Sequence, residues 1–393
     1  MNASPLLPVL APPQSCTGCG ACVAICPTHA LTLMPDTEGF LRPQVNASAC
    51  IGCKVCSSHC PLLQPTQEVR LPLQAYAARL RDADRLQQSS SGGVFTALAE
   101  SVLRQGGLVF GSAWTPDLQV ETSSVENSKA LESFRGSKYL QGSSRGGGCY
   151  QEVISALKCG REVLFTGTPC QVLGCLASVP SSLRDKLWTA EIVCHGGPSP
   201  ALFKHYLAEL ACRFGSRPIS VSFRSKMPSW ANFSFAVTLA DGRHLSWDAH
   251  KDPYVKAFFR NLCNRPSCAV CPANGGRSGA DFTLGDFWKS EELYPQFNDD
   301  RGLSLVLLRT THAQTLWERA QEALEVAPGD YTQMLVGNPN LATPSPHAEA
   351  RAWFMSHYKT LGISLAERFS KPTRRCYRPL LACYGWFRSC FCG

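Results

Sequence analysis

Two cysteine runs of identical spacing constrain this chain more than any other feature. Residues 16–27 read CTGCGACVAICP and residues 50–61 read CIGCKVCSSHCP, so C-x2-C-x2-C-x3-C-P is written twice. This spacing suits a pair of 4Fe-4S cubanes: three thiolates of a run wrap one cluster, and the fourth, ahead of proline, ligates the other. The expected sets are Cys16, Cys19, Cys22 and Cys60 for one cluster, and Cys50, Cys53, Cys56 and Cys26 for the second. Gly18, Gly20 and Gly52 allow the tight curl that points backbone N–H groups at sulfur. Pro27 and Pro61 stop the short helix that delivers each fourth thiolate. Zinc is the competing metal, but zinc sites usually pair two C-x2-C units and lack the trailing proline.

The reading that follows is a two-cluster ferredoxin module at residues 1–65, with ALTLMPDTEGFLRPQV forming a strand, turn and strand between the runs. Two adjacent clusters act as a wire for single electrons. The chain holds 21 cysteines in 393 residues. Its opening stretch, MNASPLLPVLAPPQS, has no basic region ahead of an apolar one and is broken by prolines, so a cytoplasmic, reducing setting is expected. No stretch approaches the ~18 apolar residues of a membrane span. The net charge of +8 is spread without blocks, which favours acidic partners and argues against nucleic acid.

Beyond a proline-containing linker at 62–72 the pattern changes. LQAYAARL (73–80), LVFGSAW (108–114), REVLFTG (161–167) and KLWTAEIV (186–193) read as strands. Helices are expected in SSSGGVFTALAESVLRQGG (89–107), CYQEVISALKCG (149–160) and ALFKHYLAELACRFG (201–215). Alternating helices and short buried strands predict a mixed α/β core. From 217 to 249 the alternation turns antiparallel, with a hairpin at Asp241–Gly242. DFTLGDFW and GLSLVLLRT read as further strands, and a helix is expected near 312–326. Residues 328–350 read as loop, and 331–393 as a loop-rich tail. The last stretch, KPTRRCYRPLLACYGWFRSCFCG, is either packed on the core or a membrane-surface or partner-docking segment.

Four segments, SSSGGVFTALAESVLRQGGLVFG, FRGSKYLQGSS, VLFTGTPCQVLG…IVCHGGPSP and DPYVKAFFRNLCNRPSCAVC…DFTLGDFW, resemble the beta subunits of coenzyme F-420-reducing hydrogenases and F-420-dependent dehydrogenases. The likeness is to the bacterial branch with an N-terminal two-cluster ferredoxin, and it divides the core at 73–180 and 181–330. It implies FAD in the α/β core and a third 4Fe-4S cluster beside it. Electrons would pass singly through clusters to the flavin, which exchanges a hydride with an organic acceptor such as coenzyme F-420. An electron-donor or acceptor protein, a ferredoxin or a redox subunit, is the implied macromolecular partner. The fold does not name the small-molecule hydride acceptor.

Candidates for the core cluster are Cys268 and Cys271 at C-x2-C spacing, Cys194 in VCHG at a strand end, and either Cys170 or Cys263. For the flavin, Ser90, Ser91, Gly92 and Gly93 open a helix whose N–H groups suit a phosphate. Lys138 offers a cation for phosphate or for the flavin ring. Thr166, Gly167 and Thr168 follow a strand at its carboxyl end, where open α/β sheets bind ligands. Asp286 is a candidate ring or ribose contact, with Trp288 beside it. His195 and Lys138 are the candidate catalytic groups, His195 as a proton relay. Arg145 and the glycines at 146–148 depart from the family pattern and are expected to reshape the substrate side of the flavin. No G-x-G-x-x-G stands between a strand and a helix, so nothing points to NAD(P). The alternative function is a non-catalytic electron-transfer subunit of a larger complex.

Overall fold

The computed structural model describes residues 7–369. Its N-terminal module is built around the two cysteine runs. Strands Leu31–Pro35 and Leu41–Val45 form the expected hairpin, pairing Leu31 with Val45. One-turn helices Ala21–Ala24 and Val55–Ser58 carry the third cysteine of each run. Cys26, Ala30, Leu31 and Cys56 make the small apolar centre. So small a core needs help from metal or from docking.

Most of the remaining chain surrounds one eight-stranded sheet. Its order is Leu324–Pro328, Gln74–Leu80, Ser304–Leu308, Phe282–Asp286, Leu187–Ile192, Val163–Gly167, Leu108–Trp114, Val120–Val125. The four strands from Phe282–Asp286 to Leu108–Trp114 are mutually parallel, and the flanking ones pair antiparallel. Such a parallel centre needs cover on both faces, which is why its strands read as apolar runs. Helices Val94–Leu103 and His312–Ala320 cover one face. Helices Gly148–Lys158 and Pro169–Ser178 cover the other.

A second lobe holds strands Pro218–Ser225, Ser234–Leu239 and His244–Asp248 as an antiparallel sheet. Gly242, at φ +87°, makes the predicted turn. Helices Pro200–Phe214, Pro253–Phe259 and Arg351–Leu361 close over it, with Phe203, Phe223, Phe235, Tyr254, Phe354 and Tyr358 buried between them.

Three expectations change. The helix at 312 ends at Ala320, and Leu324–Pro328 is an edge strand paired with Gln74–Leu80. The region after 330 is not a loop-rich tail throughout: Tyr331–Gly337, Arg351–Leu361 and Ile363–Phe369 are helices, and the last two bury apolar side chains in the second lobe. The segment from 370 onward lies outside the described residues. The glycine run at 146–148 does not face the cavity described below. Gly147 (φ +83°) caps helix Gly148–Lys158, and a Cβ there would lie 2.7 Å from both Ala24 N and Gly20 O. Gly147 must be small so that the first cysteine run can sit against it. Among the described residues no helix is long and apolar enough to cross a membrane.

Candidate functional site

The N-terminal thiols lie near one another in the module. Cys22 is raised in pKa first by burial and then by Cys19, Cys16, Cys60 and Cys56 close around it. Cys19 is pushed up to about 12 by burial, with Cys170, Cys16 and Cys60 adding to it. Cys26, Cys50, Cys53 and Cys56 line one small cavity with Pro8, Thr28 and Val45. Among the described residues no three Cys, His, Asp or Glu side chains converge as the ligands of a single ion would. Cubane ligands stand wider apart, because each thiolate binds a different iron.

The core thiols form a further group. The pKa of Cys194 is well above its ordinary value, through burial and then through Cys268, Cys170 and Cys271. The last three are each pushed up to about 11 by burial. Cys194 follows strand Leu187–Ile192, and Cys170 sits in the first turn of helix Pro169–Ser178, so adjacent parallel strands deliver both at their carboxyl edge. Cys268 and Cys271 come from the 3-10 turn Pro266–Val270 and its C-terminal edge. Gly197 N donates to Cys268 Sγ at 3.3 Å, and Thr168 Oγ1 lies 3.2 Å from Cys170 Sγ. Cys263 is not brought in. It is fully buried in the apolar core of the second lobe, where its carbonyl accepts from Ser199 N. Between the two candidates left open by sequence, the geometry gathers Cys170 with the other three.

These four thiols line a cavity of about 840 Å³ at the carboxyl edge of the parallel strands. Its size lies within the range of ligand pockets. Ser90, Ser91, Gly93, Lys138, Thr166, Gly167, Thr168, His195 and Asp286 also line it. Gly92 does not: its N–H goes to Ser304 Oγ, and a Cβ there would run into Ala78 O. Several candidates already have partners. Thr166 Oγ1 donates to Phe110 O, and Ser91 Oγ donates to Leu303 O. Lys138 Nζ donates to the carbonyls of Phe134, Arg135 and Gly136, and burial pushes its pKa down to about 8. It ties its own loop as well as facing the cavity. His195 lies edge-on to Phe258, with Nδ1 3.2 Å from Ser345 Oγ and Nε2 buried without a partner. Burial lowers its pKa, which favours the neutral ring.

Sequence reasoning missed the cavity's principal cation. Arg224, at the end of strand Pro218–Ser225, is 7% exposed and lies against Phe233 and Trp288. Asp286 accepts from its Nη1 and from Trp230 Nε1, so Asp286 orients Arg224. Arg224 Nε and Nη2 are buried without a well-placed hydrogen-bond partner, and the Tyr139 hydroxyl acts on the guanidinium from the cavity wall. Ser267 Oγ and Asn274 Oδ1, also on cavity-lining residues, are orphaned too. Buried polar atoms are nearly always paired, so orphans gathered around one cavity indicate a polar ligand. The only signal in the sequence was a charged pair, Arg224 and Lys226, inside an otherwise strand-like run.

Residues 160–332 match the family model described as the C terminus of the coenzyme F420 hydrogenase/dehydrogenase beta subunit. Over that stretch the chain is related to the beta subunits of coenzyme F420 hydrogenases and dehydrogenases. Residues 15–62 match the 4Fe-4S dicluster domain. A curated relative, a component of the F420H2 dehydrogenase of Methanosarcina mazei, is 26% identical over 175 residues, which cover 40% of this chain and 46% of that one. An uncharacterized polyferredoxin-like protein of Methanocaldococcus jannaschii is 28% identical over 64 residues, 14% of this chain and 38% of that one. The chain thus spans less than half the length of either curated relative. Among solved structures, the F420-reducing [NiFe] hydrogenase complex from Methanosarcina barkeri is similar at TM-score 0.45 and 20% identity, over 67% of this chain and 84% of that one. The matched C-terminal stretch contains Thr166–Thr168, Cys170, Cys194, Arg224, Cys268, Cys271 and Asp286. Ser90, Ser91 and Lys138 precede it.

Proposed function

We propose that this chain is an iron–sulfur flavoprotein oxidoreductase. Three 4Fe-4S clusters would be held by Cys26, Cys50, Cys53 and Cys56; by Cys16, Cys19, Cys22 and Cys60; and by Cys170, Cys194, Cys268 and Cys271. FAD, when bound in the cavity, supplies the exchange between single electrons and a hydride. One observation carries the reading: the core thiols and the Arg224 N–H groups that lack a well-placed partner meet in one large cavity at the carboxyl edge of the sheet. Arg224 offers a charge-assisted grip to an anionic or carbonyl group of the ligand. Asp286 holds the guanidinium in place, and Trp230 stacks on Trp288 at 4.5 Å beside it. Phe233, Phe258 and Phe259 keep that side of the cavity apolar. His195 Nε2 is free to hold or pass a proton there. The hydride acceptor is an organic molecule such as coenzyme F-420, the molecule in the name of the Methanosarcina mazei relative.

The test is a visible spectrum of anaerobically purified protein, with iron, zinc and flavin quantified on one sample. The expected result is about twelve irons and one flavin per chain. About eight irons without flavin would sink the hydride-transfer reading, and zinc in place of iron would sink the electron-transfer reading as well. Arg224→Gln should keep the iron and weaken flavin binding by about ten- to a hundredfold, the worth of about 1.5–3 kcal/mol for hydrogen bonds to a charged group. A second reading has one observation in its favour. The Methanosarcina mazei relative is itself named as a subunit, so the chain would carry electrons to or from a substrate site on another chain. It predicts bound flavin without turnover of any soluble hydride acceptor by the isolated protein.

A further inference from the structure

Arg265 occupies an unusual place. It is 1% exposed and sits between the dicluster module and the core. Its Nε donates to Cys16 O at 2.8 Å, its Nη1 to Gln141 Oε1 at 2.9 Å and its Nη2 to Leu41 O at 2.7 Å. Nη2 also lies 4.0 Å from Cys16 Sγ, and the guanidinium stands 5.3 Å from the Phe40 ring centroid. Each of these oxygen acceptors is neutral. The ionisable groups that act on it are Arg42, a like charge, and Cys16, Cys268 and Cys170. No carboxylate pairs with it among the described residues. The first cysteine run is shaped to admit it: a Cβ on Gly18 would lie 2.7 Å from Arg265 Nη1.

A buried cation without a counter-ion is costly; neutral acceptors offset part of the cost of removing it from water, and negative charge nearby offsets more. Here the candidates are thiolates of two different sets, Cys16 on the module side and Cys170 and Cys268 on the core side. Each one-electron reduction adds one negative charge to a thiolate-held cubane. A fixed positive charge in a low-dielectric setting stabilises the reduced form over the oxidised one. Charge and hydrogen bonding around the sulfurs are among the levers that set cluster potentials.

We infer that Arg265 is a shared counter-charge that raises the reduction potentials of the first module cluster and the core cluster together, leaving the outer cluster at Cys26, Cys50, Cys53 and Cys56 untouched. The inference rests on the cluster assignments proposed above. It makes Arg265 a positioning residue for electrons: the two inner stations lie downhill of the outer one, so an electron entering at the surface is drawn toward the cavity.

The experiment is a redox titration of the full chain followed by electron paramagnetic resonance, with iron quantified on every sample. Arg265→Gln is expected to lower the potentials of both inner clusters by at least about tenfold in the reduction equilibrium, about 59 mV for a one-electron couple. Arg265→Lys keeps the charge and is expected to shift them by less. Gln141→Glu leaves Arg265 in place but sets a carboxylate against it, and is expected to produce the same drop. If Arg265→Gln loses iron, Gln141→Glu decides. Unchanged inner potentials in iron-replete Arg265→Gln or Gln141→Glu protein would overturn the inference, as would an equal shift of all three clusters. If the core thiols hold no iron even in the wild type, the three-cluster reading fails, and the inference is judged on the cluster at Cys16 alone.

Discussion

Cys170 and Cys263 compete for one ligand position, and their surroundings separate them. Cys170 heads a helix at the carboxyl edge of a parallel strand, beside Cys194, Cys268 and Cys271. Cys263 is far closer to Cys268 in sequence, yet its side chain packs among Leu202, Tyr254 and Leu262. A thiol in such surroundings behaves as a small apolar group. Cys170→Ser is therefore expected to remove about four irons per chain. Cys263→Ser should keep the full iron content and cost only stability, about 1–3 kcal/mol for placing a hydroxyl in an apolar core where Ser199 N–H is the nearby donor. Iron analysis and thermal unfolding on the same two preparations check this. Iron loss from Cys263→Ser but not from Cys170→Ser would reverse the assignment.

At the scale of elements, one lysine links segments that the sequence keeps far apart. Lys226 Nζ donates to the carbonyls of Leu86, Ser91 and Arg301 at 2.6–2.8 Å, so it ties the serine loop to the second lobe. Burial pushes its pKa down to about 8. Between that value and the ordinary one near 10.5 the unfolded chain holds more protons at this site than the folded chain, so its contribution to stability rises with pH. The stability gap between wild type and Lys226→Met should therefore widen from pH 8 to about 10. Denaturant melts at several pH values measure it, and a gap that narrows would refute the assignment. No sequence pattern could reveal such a tie, because Lys226 reads as an ordinary strand-end charge until the loops close on it. The strands were legible for the opposite reason: VLFTG lies in the parallel centre and SLVLL in the antiparallel part beside it, and both are apolar because the sheet is covered on both faces there. Of the glycines at 146–148, only Gly147 is required by packing, because Gly20 and Ala24 of the first cysteine run approach it closely. Arg224 escaped notice because its partner Asp286 is 62 residues away and its open N–H groups matter only inside a cavity.

Over the whole molecule the three thiol groups stand in an order. The outermost includes exposed Cys53. Cys56 belongs to that group and also acts on Cys22 and Cys60 of the next. Cys19 of that second group is acted on most strongly, among the thiols, by Cys170 of the core. Tyr150 fixes this junction by donating to both Cys19 O and Gln171 O. On the proposed cluster assignments, the middle group lies between the outer group and the cavity. Cys22→Ser is the variant that interrupts it, because Cys22 touches only module thiols and lines neither cavity. Its iron content should fall to about eight per chain, with the outer and core clusters retained. A reduced ferredoxin-type donor should then still fill the outer cluster at the wild-type rate, while the flavin proposed for the cavity is reduced only as slowly as by direct encounter. A small chemical reductant that reaches the cavity from solvent should reduce the flavin equally fast in both proteins. Stopped-flow absorbance separates the two routes. Undiminished flavin reduction by the protein donor in iron-counted Cys22→Ser protein would mean that electrons enter at the core, and the cysteine module would then need another role.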